Sequence, residues 1–173
     1  MNELVFNTLF IITIFVVLLY YNKKSNTLDR PIWYKNKKLF SIHLDGKDTS
    51  QQPFDIYTFT HFSSGILIYL IANYFNYTDY TIFYIGFILG ILFEICENTS
   101  YIINKYRENK EYKNYHGDSI ANIMGDMFAL ILGICFSRNF KKLSFYYLII
   151  AEIVLSNYNA SMYDLSIGGI SKI

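Results

Sequence analysis

Gly117-Asp118-Ser119-Ile120-Ala121-Asn122-Ile123-Met124-Gly125-Asp126, continued by the apolar run Met127 to Phe136, decides how this chain is read. From Ser119 to Phe136 there are 18 residues. At about 1.5 Å per residue such a helix nearly crosses a hydrocarbon core of ~30 Å. Yet a carboxyl group, Asp126, stands inside it. An acid near the middle of a span costs about 2.5 to 3.5 kcal/mol on insertion scales, so the rest of the fold has to supply it with partners.

Working outward, further apolar runs occur at Leu4–Tyr21, Tyr57–Phe75, Tyr80–Tyr101 and Leu143–Leu155, the last interrupted by Glu152. The expected architecture is therefore an all-α polytopic membrane helix bundle of four to five spans, in a single membrane domain over residues 1–173. Polar loops are expected at 22–56 and 102–118. Charge is segregated to match: of 29 charged residues, 11 lie between Asn22 and Asp55 and 9 between Glu94 and Asp118. The first run has no basic leader and no small-x-small cleavage site, so it reads as an uncleaved signal anchor. Twelve basic residues fall on one side of this topology and three on the other, which predicts an outside N-terminus and cytoplasmic loops 22–56 and 102–118.

Composition removes several function classes. Of 173 residues, 53% are hydrophobic and 17% charged, and Lys+Arg 15 nearly balance Asp+Glu 14, so no nucleic acid is expected as a partner. The expected partner is the lipid bilayer, with a lipid or lipid-linked molecule as substrate. Cys96 and Cys135 lie in apolar runs and read as buried small hydrophobes. No C-x-x-C or H-x3-H pair is present to close a structural zinc site. P-loop, G-x-G-x-x-G, G-x-S-x-G and H-E-x-x-H motifs are missing as well.

Connectivity brings the polar groups of the spans to one end. The second span enters from one side, the third returns to it and the fourth leaves from it. Tyr57 and His61, then Glu94, Glu97 and Asn98, then Asp118, Asn122 and Asp126 therefore share a depth. Glu94, Glu97 and Tyr101 fall at i, i+3, i+7, and Asp118, Asn122 and Asp126 at i, i+4, i+8, so each set is expected to form a stripe on one helix face. Gly65 and Gly125 would let backbones approach closely. Asp118 also reads as a helix N-cap.

The stretches Asp55 to His61, Phe93 to Thr99, Ile103 to Glu108 and Tyr115 to Asn122 with Asp126 resemble an uncharacterised family of small bacterial multi-pass membrane proteins. Where that family carries a second histidine this chain has Ser64, which removes a His-pair metal site. More distantly, Asp118, Asn122 and Gly125 are similar to the start of a late span in the VanZ-like membrane proteins. That likeness implies work on lipids or envelope glycans.

Three functions fit these residues. The first is a membrane hydrolase or transferase acting on an amphiphile, with His61, Glu94, Glu97, Asp118 and Asp126 as catalytic groups and Tyr57, Asn98, Arg107 and Asn122 holding substrate. Two carboxyls in low dielectric do not both ionise cheaply, so one of Glu94 and Glu97 would act as acid and His61 or Asp126 as base. A divalent metal on His61, Glu97 and Asp118 or Asp126 is the cofactor alternative. The second is a structural or partner-binding protein whose polar cluster locks helices together. The third is a proton-linked transport component.

Overall fold

A computed structural model describes residues 38–41, 49–108 and 112–158 of the chain. Among these the protein is mostly helical. Two short strands, β1 (Phe40–Ser41) and β2 (Phe54–Asp55), are followed by α1 (Thr58–Tyr74), α2 (Asp79–Glu97), α3 (Ser100–Glu108), α4 (Ile120–Asn139) and α5 (Lys141–Ser156). The strands pair in parallel, Phe40 against Phe54 and Ser41 against Asp55. The expected span Leu4–Tyr21 and its signal anchor lie outside the described residues.

The central element is α4, packed against α1, α2 and α5. Its apolar side chains Leu130 and Ile134 join Tyr69 and Ala72 of α1 and Ile82 of α2 in the main core. Glycine makes the α1–α4 crossing possible. A Cβ on Gly65 would collide with the Leu130 carbonyl, and one on Gly133 with the Phe62 carbonyl, so each helix presents a bare backbone to the other. Gly125 plays the same part toward the chain ahead of α1, for a Cβ there would overlap the carbonyl oxygen of Pro53.

The apolar run expected at Tyr80–Tyr101 is not one helix. It stops at Glu97 because the next side chains take over backbone groups: Asn98 Nδ2 donates to the Glu94 carbonyl at 3.0 Å, and Thr99 Oγ donates to the Cys96 carbonyl at 2.7 Å. The same Thr99 oxygen accepts from Ile102 N at 3.3 Å and starts α3. Tyr101 thus leaves the stripe expected with Glu94 and Glu97 and is 72% exposed. Ser119, not Asp118, caps α4, its hydroxyl accepting from Asn122 N at 3.1 Å. Asp118 therefore precedes the helix that carries Asn122 and Asp126.

Two helices, α2 and α4, are long and apolar enough to cross a bilayer. The helices α1 and α5, of 17 and 16 residues, are somewhat shorter. Much apolar surface faces outward, including Leu89, Leu92 and Phe93 of α2 and Phe145, Ile149, Ile150 and Ile153 of α5. Cys96 and Cys135, expected inside, are both exposed. The inward faces of their helices are those bearing Gly90 and Glu94, and Gly125 and Asp126, which turns the cysteines outward.

The glycine contacts differ in what they meet, and that yields an ordering. At Gly90 a Cβ would reach the thioether of Met127, a flexible neighbour, whereas at Gly125 it would reach backbone. Gly125→Ala is expected to cost about 3 kcal/mol in unfolding experiments in detergent. Gly90→Ala is expected to cost less than about 1 kcal/mol, since helix propensity offsets the crowding. Equal effects at the two sites would show that Pro53 does not seat against α4.

Candidate functional site

Three helix ends meet where the polar residues gather. His61 lies in the first turn of α1, Glu94 and Glu97 in the last turn of α2, and Asn122 and Asp126 in the first two turns of α4. The imidazole of His61 stands between two carboxyls, with Nδ1 3.8 Å from Glu94 Oε1 and Nε2 3.8 Å from Asp126 Oδ2. Both separations exceed hydrogen-bond length. The His61 side chain is 11% exposed and meets the ring of Phe93 edge-on at 5.5 Å between centroids. Glu94 is 2% exposed, and neither of its carboxyl oxygens has a hydrogen-bond partner.

Asp126 is held differently. Its Oδ1 accepts from Thr58 Oγ at 2.8 Å, and the Thr58 oxygen itself accepts from Asp55 N at 2.9 Å. With that N–H on its lone pair, the threonine hydroxyl has its proton free for Asp126. Asp126 Oδ2 is left facing His61. Asn122 is fully buried, donating to Asp55 Oδ2 at 3.5 Å while its own Oδ1 finds no hydrogen bond.

Asp118 is tied on every side. Asn98 donates to Oδ2 at 2.7 Å and accepts from Asp118 N at 2.8 Å, and Tyr115 donates to Oδ1 at 2.7 Å. These bonds join the loop before α4 to the end of α2. Gly117, with φ 85°, supplies the left-handed backbone that lets the loop turn there. Arg107, expected to hold substrate, grips this loop: its Nε donates to the Tyr115 carbonyl at 2.6 Å, and its terminal nitrogen lies 3.2 Å from His116 Nδ1. Tyrosines close the same end. Tyr57 and Tyr112 share a 2.6 Å hydroxyl contact, and Tyr106 stands edge-on to Tyr115 with its hydroxyl 3.5 Å from Glu97. Burial, with Glu97 and Asp118 nearby, holds the Tyr106 and Tyr115 phenols well above their ordinary range.

Sequence reading did not anticipate the segment just before α1. Residues of the 22–56 loop were expected in water, but Thr49, Ser50, Gln51, Gln52 and Asp55 are buried. Several of their polar groups are met from the α4 side, although the side-chain oxygens of Gln51 and Gln52 are not. Ser119 N donates to the Ser50 carbonyl at 2.9 Å, Ser119 Oγ to the Gln51 carbonyl at 3.0 Å, and Gln51 Nε2 to the Gly117 carbonyl at 2.9 Å. Asp55 accepts from the N–H groups of Tyr57 at 2.8 Å and Thr58 at 3.2 Å, capping α1. Two signals for this were available, Asp55 just ahead of an apolar helix and Gly125, expected to admit a close backbone but not assigned this segment as its neighbour.

The residues expected to bind metal fall into two overlapping groups. One is His61, Glu94 and Asp126, the other Glu94, Glu97 and Asp118, and within each the ligand atoms lie within 4.8 Å of one another. Glu94, omitted from the expected ligand set, is shared by both. An apolar groove of 480 Å³ lined by residues such as Leu67, Ile71 and Leu148 lies between α1 and α5, away from this cluster.

Asp55 allows a pH test. Burial first, and then the charge of Asp118, raise its pKa from 3.8 to about 6, partly opposed by the Tyr57 and Thr58 N–H groups. Below pH 3.8 the group is protonated in folded and unfolded chains alike and costs nothing. As pH rises toward 6 the unfolded chain ionises first, so stability is lost across that window. In Asp55→Asn the new amide retains an oxygen for the two N–H groups and offers a donor to the buried Asn122. The stability difference between variant and wild type is expected to move by about 2 kcal/mol in the variant's favour from pH 4 to pH 7. Unfolding curves in detergent with a pH-independent difference would show that Asp55 titrates as it does in water.

Comparison with known proteins adds ancestry. A UPF0314 protein of Brucella anthropi is 32% identical over 88 residues, which make up 50% of this chain and 45% of that protein. The aligned stretch thus spans less than half of that relative's length. No solved structure gives a significant match. Residues 32–162, which include the whole polar cluster, match the family described as "Protein of unknown function (DUF2585)", and the chain belongs to that family.

Proposed function

We propose that this protein is a multi-pass membrane enzyme, a hydrolase or transferase that acts on a lipid or lipid-linked amphiphile through the polar pocket between α1, α2 and α4. In this reading α1, α2, α4, α5 and the Leu4–Tyr21 run lie in the bilayer, and the pocket opens toward the cytoplasmic side that carries Arg107. The apolar flanks of α2 and α5 support the membrane setting. The likeness of Asp118, Asn122 and Gly125 to VanZ-like proteins agrees with an envelope substrate.

One observation carries the reading, the buried Glu94 carboxyl with no hydrogen-bond partner. Asp118, which ties a loop to α2, is bonded at both oxygens, whereas the unmet Glu94 carboxyl costs about 1 to 3 kcal/mol that a helix-locking role does not repay. Such groups persist where function needs them. The substrate headgroup enters beside His61, past the exposed ring of Phe93, while its acyl portion stays in lipid. In hydrolysis, Glu97, only partly buried, takes a proton from the attacking water. The water oxygen bonds to the carbonyl or phosphorus centre, the bond to the leaving oxygen breaks, and Glu97 returns the proton to that oxygen. Asp118, Asn98 and Arg107 act by positioning the loop.

Stability separates this from a helix-locking role. Glu94→Gln, Glu97→Gln and Asp126→Asn are expected to be as stable as wild type or more so in thermal unfolding, while hydrolysis of lipid-linked esters or phosphates by the purified protein falls by about 100-fold. Losses of about 2 kcal/mol or more in all three would indicate a structural network and end the enzyme reading.

A further inference from the structure

We infer that His61, Glu94 and Asp126 form a binding site for a single divalent transition-metal cation of the zinc type. The assignment rests on the reading of this pocket as a working site and names the cofactor it would use. Three observations converge on it.

The first is the donor set. One imidazole nitrogen and one oxygen from each of two carboxyls, on three different helices, lie within 4.8 Å of one another. Around a zinc ion, with bonds of about 2.0 to 2.2 Å, tetrahedral ligand atoms stand roughly 3.4 Å apart. The two 3.8 Å separations are too long for hydrogen bonds and use different ring nitrogens, Nδ1 toward Glu94 and Nε2 toward Asp126, so one nitrogen alone would ligate and the imidazole would turn to bring it between the two carboxyls.

The second is Glu94. It is 2% exposed and both its oxygens lack hydrogen bonds, although they face His61 and the rest of the cluster. Desolvating a carboxyl without a partner is costly, and a cation supplies what the protein does not. The third is orientation. Thr58 occupies Asp126 Oδ1 and leaves Oδ2 directed at His61. Ligating carboxylates are commonly fixed by such a bond to their other oxygen.

Charge is in accord with this. Two carboxylates and a neutral imidazole balance a divalent ion, so the complex carries no net charge into the apolar bundle. Three protein ligands leave a fourth position for water, the arrangement of catalytic rather than structural zinc. An ion there would lower the pKa of that water, and Glu97 in the adjoining group is placed to receive its proton.

The test uses the full-length protein in detergent, stripped with chelator and dialysed against buffered Zn²⁺ or Co²⁺, with bound metal counted by plasma mass spectrometry. One ion per chain is expected. His61→Ala and Asp126→Asn should each weaken binding by about 100-fold or more, whereas removing both cysteines with Cys96→Ser and Cys135→Ser should leave it unchanged. His61→Cys keeps a ligand at that position, and its Co²⁺ form should gain a thiolate-to-cobalt charge-transfer band absent from wild type. That signature decides the matter if the alanine variant does not fold.

Wild type that binds no ion, or an ion retained in both His61→Ala and Asp126→Asn, would overturn the site. So would an ion lost in Glu97→Gln but kept in His61→Ala, which would move it to the neighbouring carboxyls. Hydrolysis by metal-free protein would refute the ion and leave the enzyme reading standing. A bound ion with no hydrolysis of any lipid-linked substrate would do the reverse.

Discussion

Negative charge in an apolar surrounding is the constraint on which this fold turns. Asp55, Glu94, Glu97, Asp118 and Asp126 gather at one end of three helices, and His61 is the basic group set against Glu94 and Asp126. Carboxyls removed from water have to be hydrogen-bonded, protonated or paired with a cation. The chain treats them unequally. Asp55 receives two backbone N–H groups, Asp118 an amide and a phenol, and Asp126 a hydroxyl. Glu94 receives no hydrogen bond. That inequality sets Glu94 apart from the acids whose hydrogen bonds build the end of the bundle.

The supporting structure follows from serving these acids. Asn98 both ends α2 and binds Asp118, so the break between α2 and α3 and the placing of the loop before α4 are one event. Thr58 begins α1 and bonds Asp126, which links a helix start to the acid of another helix. Arg107 reaches back from α3 to the Tyr115 carbonyl, and Tyr115 in turn bonds Asp118. A change at Arg107 would therefore reach the cluster through Tyr115.

Much of this was legible in the sequence, for a topological reason. Consecutive antiparallel helices must return to the same end, so a polar start, a polar finish and a second polar start converge whatever their packing. His61, Glu94 and Asp126 follow from that argument alone. What it leaves out depends on short-range geometry. Thr49 to Gln52 reads as solvated loop by composition, and its burial depends on Gly125 accepting the Pro53 carbonyl and on Ser119 meeting two carbonyls of the segment. The stripe ending in Tyr101 assumed an unbroken helix, which Asn98 and Thr99 interrupt through backbone contacts that periodicity does not register. The cap moved from Asp118 to Ser119 because Asn98 and Tyr115 compete for the aspartate. Cys96 and Cys135 followed their apolar neighbours in sequence but face away from the core, since hydrophobicity alone does not say whether the solvent of a helix face is protein or lipid.

Helix direction gives the cluster its polarity. Three helices, α1, α3 and α4, begin at this end, and α2 finishes there just ahead of α3. Helix starts carry partial positive charge and unpaired N–H groups, which suits Asp55 on α1 and the Ser119 cap of α4. The end of α2 carries partial negative charge, and it is there that Glu94 and Glu97 stand. Carboxyls at a helix C-terminus add like charge to like, while cations are favoured at the same place. His61 approaches Glu94 from the opposing helix, and Asp126 flanks the imidazole from the third. Hydrogen-bond donors thus reach the acids beside α1 and α4, while Glu94 in the last turn of α2 receives none. A cation beside Glu94 would offset the carboxyls and the helix end together, whereas a proton on Glu94 neutralises that one carboxyl.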